Sequence, residues 1–180
     1  MATFISILRG INVSGQKKIL MVDLKALYKK LGFENVQTYI QSGNVVFDCD
    51  KGKSNFTIAE MIEQAIGKDY KFQVPVLVKQ ADVLISTIKN NPFIEEAGVD
   101  LSRVVVTFLE SLPTPENLLK LEGVDYPPDQ FIIDGMNIYI YCPKSYGNSK
   151  LSNNFFERKL KVRATTRNWK TINMLAEMAS

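Results

Sequence analysis

Two turn signals organise this chain. Ser42-Gly43-Asn44 lies between the runs Val36 to Ile40 and Val45 to Phe47, and Asp134-Gly135 lies between Gln130 to Ile133 and Asn137 to Tyr141. Glycine beside Asn or Asp, set between strand-like runs, predicts a β-hairpin, because tight turns need residues that tolerate positive φ. Each hairpin is flanked by segments with helical spacing. That alternation predicts an α+β fold.

The first half fills in around its hairpin. Ala2 to Arg9 alternates Phe4, Ser6 and Leu8 against Ile5, Ile7 and Arg9, the pattern of a buried strand. Met21, Leu24, Leu27, Tyr28 and Leu31 fall at helical spacing, with Gly32 where a left-handed cap is wanted. Asp48 to Asn55 is polar and reads as a loop. Ile58, Met61, Ile62, Ala65 and Ile66 make a second amphipathic helix, and Phe72 to Val78 a strand in which Pro75 points to an edge or bulge. The order is βαββαβ, the ferredoxin-like unit. Ala81 to Lys89 reads as a connecting helix, broken at Asn91-Pro92. A strand (Arg103 to Leu109), a helix opened by Pro113, the second hairpin and helices over Leu151 to Leu160 and Trp169 to Met178 complete the chain. The second half therefore reads βαββα plus a C-terminal helix. The expectation is two similar ferredoxin-like halves, residues 1–80 and 81–180, forming one compact unit without a flexible linker.

The chain holds no histidine. That removes Ser-His-Asp triads, Cys-His pairs and histidine metal ligands, so any chemistry rests on carboxylate, Lys, Tyr, Ser/Thr or thiolate groups, or on a bound cofactor. No acidic cluster points to a metal. Cys49 and Cys142 lie far apart near strand ends, which predicts buried thiols in a reducing compartment. No apolar run reaches membrane-spanning length, and Met1 to Ser6 lacks a basic leader, so a cytoplasmic protein is expected. The charge is uneven. Residues 144–180 carry eight basic against two acidic side chains, a net +6, while the rest carries fourteen against seventeen, a net −3. A basic segment on an acidic body favours an anionic partner over a neutral one.

Three polar, glycine- or asparagine-marked segments end the apolar elements, where loops carry function. Gly10 and Gly15 have the spacing of a Walker A loop, but Gln16 stands where its lysine belongs and Lys17 is followed by Lys18. This leaves a generic anion loop using Asn12 and Lys18, with Arg9 as a charge closing an apolar strand, or a loop whose glycines serve conformation alone. In Gln41-Ser42-Gly43-Asn44, hairpin chemistry accounts for Gly43, while Gln41 and Asn44 can offer amides. Thr165, Thr166 or Asn168 can cap the last helix, whose N-terminus beside Arg163 and Arg167 would attract an anion. Trp169 shares a stripe with Ile172, Leu175 and Ala176, which places it in the core more readily than against a base. Ser149-Lys150 is the only nucleophile–base pairing in view, and adjacent residues seldom face each other.

Leu8-Arg9-Gly10-Ile11-Asn12-Val13, Tyr39 to Phe47, Ser149-Lys150-Leu151, Glu157-Arg158-Lys159-Leu160 and Ala164 to Trp169 together resemble a bacterial family, domain of unknown function 1697. The resemblance extends over essentially the whole chain. Where the family's pattern has a glycine pair and a lysine, this chain has Ser14-Gly15-Gln16; Lys18 matches a second family lysine, and Lys17 stands where Asn is frequent. The resemblance implies an α+β fold of two similar halves and marks Arg9, Asn12, Gln41, Ser42, Asn44, Ser149, Lys150, Thr165, Thr166, Arg167 and Asn168 as site positions. It implies no particular activity. The leading expectation is a binding module for a phosphorylated small molecule, nucleotide or short nucleic acid. The alternatives are a histidine-independent group-transfer or hydrolytic enzyme using Ser149 and Lys150, and a scaffold for a protein partner.

Overall fold

The computed structural model describes all 180 residues, and their contacts divide into two units: Met1–Ser86 with Met174–Ser180, and Thr87–Asn173. The boundary runs through α3 (Ala81–Lys89) and α6 (Trp169–Met178).

In the first unit, β1 (Ala2–Leu8) is a centre strand, buried from Phe4 to Leu8. β2 (Glu34–Tyr39), β3 (Asn44–Cys49) and β4 (Val76–Gln80) complete an antiparallel sheet ordered β2-β3-β1-β4. α1 (Met21–Lys30) and α2 (Asn55–Tyr70) contribute Leu24, Leu27, Tyr28, Ile58 and Ile62 to a core shared with Phe4, Leu8 and Phe47. Tyr28 carries a hydroxyl into that core and meets Ser6 Oγ at 2.7 Å, which satisfies both groups away from water. Ser54 caps α2 by accepting from the Thr57 N–H at 3.0 Å.

The second unit repeats this plan. β5 (Val104–Leu109), α4 (Pro115–Leu119), β6 (Gln130–Asp134), β7 (Asn137–Tyr141), α5 (Asn153–Leu160) and β8 (Ala164–Asn168) give a sheet ordered β6-β7-β5-β8. Its core includes Val105, Leu109, Ile138, Ile140, Phe155, Phe156 and Leu160. The protein is thus α+β, with two four-stranded antiparallel sheets and similar halves.

Several sequence expectations shift. Residues 164–168, expected to lead into a helix, form strand β8 instead, pairing antiparallel with β5 through Thr107↔Thr166. The second half is therefore βαββαβ before its last helix. Ala-Thr-Thr-Arg-Asn holds no large apolar residue, so it lacks the alternation that marks a strand; β-branched threonines and a partner strand suffice. Asp48 and Cys49 belong to β3, which narrows the loop ahead of α2. β4 starts after Pro75 at the sheet edge, where a missing N–H costs no ladder bond. Ile40 leaves β2 and enters the turn with φ 48°. Both cysteines are free and buried. No helix is long and apolar enough to cross a membrane.

Candidate functional site

In the first unit the predicted positions gather at the end of β1. The chain leaves β1 at Arg9 and reaches α1 through a loop in which Gly10, Asn12, Ser14, Gly15 and Lys17 all have positive φ. One side chain holds the loop. Asn12 Nδ2 donates to the carbonyls of Ile19 (2.9 Å) and Gln41 (2.8 Å), and its Oδ1 accepts from the Ile19 N–H at 2.9 Å. The amide thus imitates a strand partner for Ile19 while tying the loop to the β2–β3 turn. Lys17 Nζ donates to the Gln73 carbonyl at 2.6 Å, and Lys18 is exposed.

The β2–β3 turn, Ile40 to Gly43, locks onto the same loop. Gly43 has φ 87°, and a Cβ there would stand 2.7 Å from Ile11 Cδ1 and 2.8 Å from Leu8 Cβ. Its carbonyl accepts from the Leu8 N–H at 2.8 Å. Asn44 is fully buried, and its Nδ2 donates to the Tyr39 carbonyl and to Ser42 Oγ, both at 3.0 Å. The segments around Arg9 and around Gly43 are therefore one interlocked structure. Asn12, Gly43 and Asn44 build it; Arg9 (half-buried), Lys18 and Gln41 (both exposed) lie on its surface.

In the second unit Thr166 is a hub. It donates to Asn153 Oδ1 at 2.6 Å, accepts from the Tyr146 hydroxyl at 3.1 Å and meets Thr107 Oγ1 at 2.6 Å. With its one proton given to Asn153, Thr107 must be the donor in the last bond, and the capacity of Thr166 is complete. Thr165 is buried in β8. Neither threonine caps α6; Asn168 does, its Oδ1 accepting from the Thr171 N–H at 2.8 Å. Arg167 therefore sits in a strand rather than in the first turn of a helix, half-buried, with Nη1 donating to the Thr166 carbonyl at 2.9 Å. Burial pulls its guanidinium down to about 10, which leaves it charged at neutral pH. Trp169 is half-buried at the start of α6.

Ser149 and Lys150 have different partners. Ser149 Oγ donates to Asp129 Oδ2 at 2.7 Å and accepts from the Leu151 N–H at 3.1 Å. Lys150 Nζ lies 5.2 Å from the Tyr126 ring centre. Cys142 stands against Ser149 and Asp129, and burial pushes its thiol up to about 11, so it stays protonated and unreactive at neutral pH. Asp129, Thr107, Tyr146 and Asn153 escaped the sequence reading, since an Asp after two prolines reads as a turn and the other three have no motif around them.

The comparisons agree with this architecture. A conserved bacterial protein of Streptococcus pneumoniae has a similar structure, with a TM-score of 0.77 over 99% of both chains at 23% identity, a likeness of fold. No curated protein matches. The family model for the protein of unknown function DUF1697 matches residues 1–139, which include the interlocked loops of the first unit and end within β7. The chain belongs to the DUF1697 family.

Proposed function

We propose that the chain binds a small phosphorylated anion on the loop that joins β1 to α1. The supporting observation is a loop whose left-handed residues recur at 10, 12, 14, 15 and 17 between Arg9 and Lys18. Backbones that alternate into the left-handed region form concavities where N–H groups meet an anion, and the flanking cations add charge. Asn12 and Gly43 hold the loop before any ligand arrives, which reduces the ordering cost of binding. Exposed Gln41, on the turn that Asn12 grips, supplies a directional contact. The remaining candidates support structure in this reading, Ser42 and Asn44 within the turn and Ser149, Thr165, Thr166 and Asn168 in the other unit, to which Lys150 and Arg167 also belong. Three cations on one loop, Lys17 among them already donating to the Gln73 carbonyl, suit a sugar phosphate or nucleotide better than a nucleic acid, which needs a row of phosphate contacts.

The test is a low-salt thermal-shift panel of inorganic phosphate, nucleotides and sugar phosphates, run also on Arg9→Ala/Lys18→Ala. A ligand at a hundred times its Kd stabilises by about 2.7 kcal/mol, a shift on the order of 5–10 °C for a chain of this length. The expected result is a shift that the double variant loses. A flat panel on folded protein, or a shift the variant keeps, overturns the reading.

A further inference from the structure

A second site lies away from that loop. Between α1 and α2 the first unit opens a cleft of ≈ 370 Å³. Leu27, Leu31, Met61 and Ala65 line it, and Lys30 and Lys68 stand at its rim. Leu31, Met61 and Ala65 pack on the core only in part and remain half-buried, so the cleft has an apolar floor that neither helix covers. Both lysines are exposed, and one acidic residue, Asp69, shares the lining with them. The rim is therefore net positive over an apolar floor.

We infer that this cleft between α1 and α2 binds a small amphipathic monoanion, an alkyl or aryl carboxylate, with its apolar body on Leu31, Met61 and Ala65 and its charge toward Lys30 and Lys68. Size selects a small molecule over a partner helix. Ligand pockets start at about 300 Å³, whereas a docked helix needs a groove several turns long. At about 30 Å³ for each water-sized group the cleft takes roughly a dozen non-hydrogen atoms. Chemistry selects the anion, because a cation would meet two ammonium groups and one carboxylate. Met61 suits the floor, since an unbranched thioether adapts to differently shaped apolar bodies.

Octanoate and octylammonium, equal in chain length and opposite in charge, test the assignment. Each is titrated below its micellar concentration into the full chain, while the methyl resonances of Leu27, Leu31 and Met61 are followed. Octanoate is expected to shift these methyls saturably, and octylammonium to bind at least about fivefold more weakly. Lys30→Gln/Lys68→Gln, both changes at exposed positions, is expected to weaken octanoate about five- to tenfold. Ala65→Leu, which fills the floor, is expected to remove the shifts while the melting temperature stays unchanged or rises. Unmoved methyls, equal binding of the two probes, or unchanged octanoate affinity in the lysine variant would each overturn it. Because the Arg9 and Lys18 loop is untouched by these variants, the outcome is independent of the phosphate test.

Discussion

A glycine and two asparagines do most to shape the surface around Arg9. Gly43 combines two demands that only glycine meets, a φ of 87° and a clearance that a Cβ would cut to 2.7 Å from Ile11 and 2.8 Å from Leu8. A left-handed non-glycine residue costs about 1–2 kcal/mol and overpacking about 1–3 kcal/mol, so Gly43→Ala is expected to destabilise by about 2–5 kcal/mol. Gly10 supplies the control. Its φ is 77°, but nothing lies within 4 Å of a Cβ there, so Gly10→Ala is expected to cost only about 1–2 kcal/mol. Urea unfolding of both variants checks this; equal losses would mean that the contact with Leu8 and Ile11 relaxes freely. The hairpin role of Gly43 was legible from composition. Its contact with Ile11 was not, because no local pattern records which distant side chain packs against the turn. Asn12 hid its role similarly: as a residue in a polar loop it suggested a ligand contact, and its amide is engaged with the backbone of Ile19 and Gln41.

At the scale of elements, what the sequence conveyed followed apolar periodicity. β1, α1, α2, α3, α6 and both hairpins announce themselves through residues that must face a core. β8 does not, since its stability comes from pairing with β5 and from the hydroxyl network of Thr166, neither of which has a local signature. Comparison of the halves could have found it, because βαββα lacks only the closing strand of the first unit. The network has its own consequence. Thr166→Val keeps the shape and the β-branch but leaves buried Thr107, the Tyr146 hydroxyl and the half-buried Asn153 side-chain oxygen each short of a partner. An unsatisfied buried polar group costs about 1–3 kcal/mol, so Thr166→Val is expected to destabilise by about that amount, and Thr107→Val/Thr166→Val by less than the sum of the single changes. A double-mutant cycle in urea reads this directly. Strict additivity would show that the two hydroxyls do not depend on each other.

Across the whole molecule, buried acids of high pKa set the response to alkali. Burial holds the Tyr28 hydroxyl well above its ordinary value, raises Tyr139 to about 12, and raises the Cys142 thiol from 9.0 to about 11. In each case the folded chain keeps a proton that the unfolded chain releases more readily. Their contribution is whole below the unfolded values, near 9 for the thiol and 10 for the phenols, and is lost as pH rises through the folded values. Arg167 acts in the opposite sense: its folded value of about 10 lies below the usual 12.5, so deprotonation relieves a buried charge as pH climbs above 10. Half-buried Tyr70, raised by burial and by Asp23 and Asp69, adds to the losing side, so four groups lose where one gains, and of these the thiol is the first to lose, between 9 and 10. The urea midpoint is therefore expected to hold steady up to about pH 8.5, to fall slowly to pH 10 and to fall steeply beyond it. Cys142→Ala should shift the midpoint at all pH values through its lost packing, but should remove the slow fall between pH 9 and 10. If the variant keeps that slope, the thiol is not its source; if the native midpoint is flat to pH 11, burial of these groups does not govern the stability of the chain in alkali.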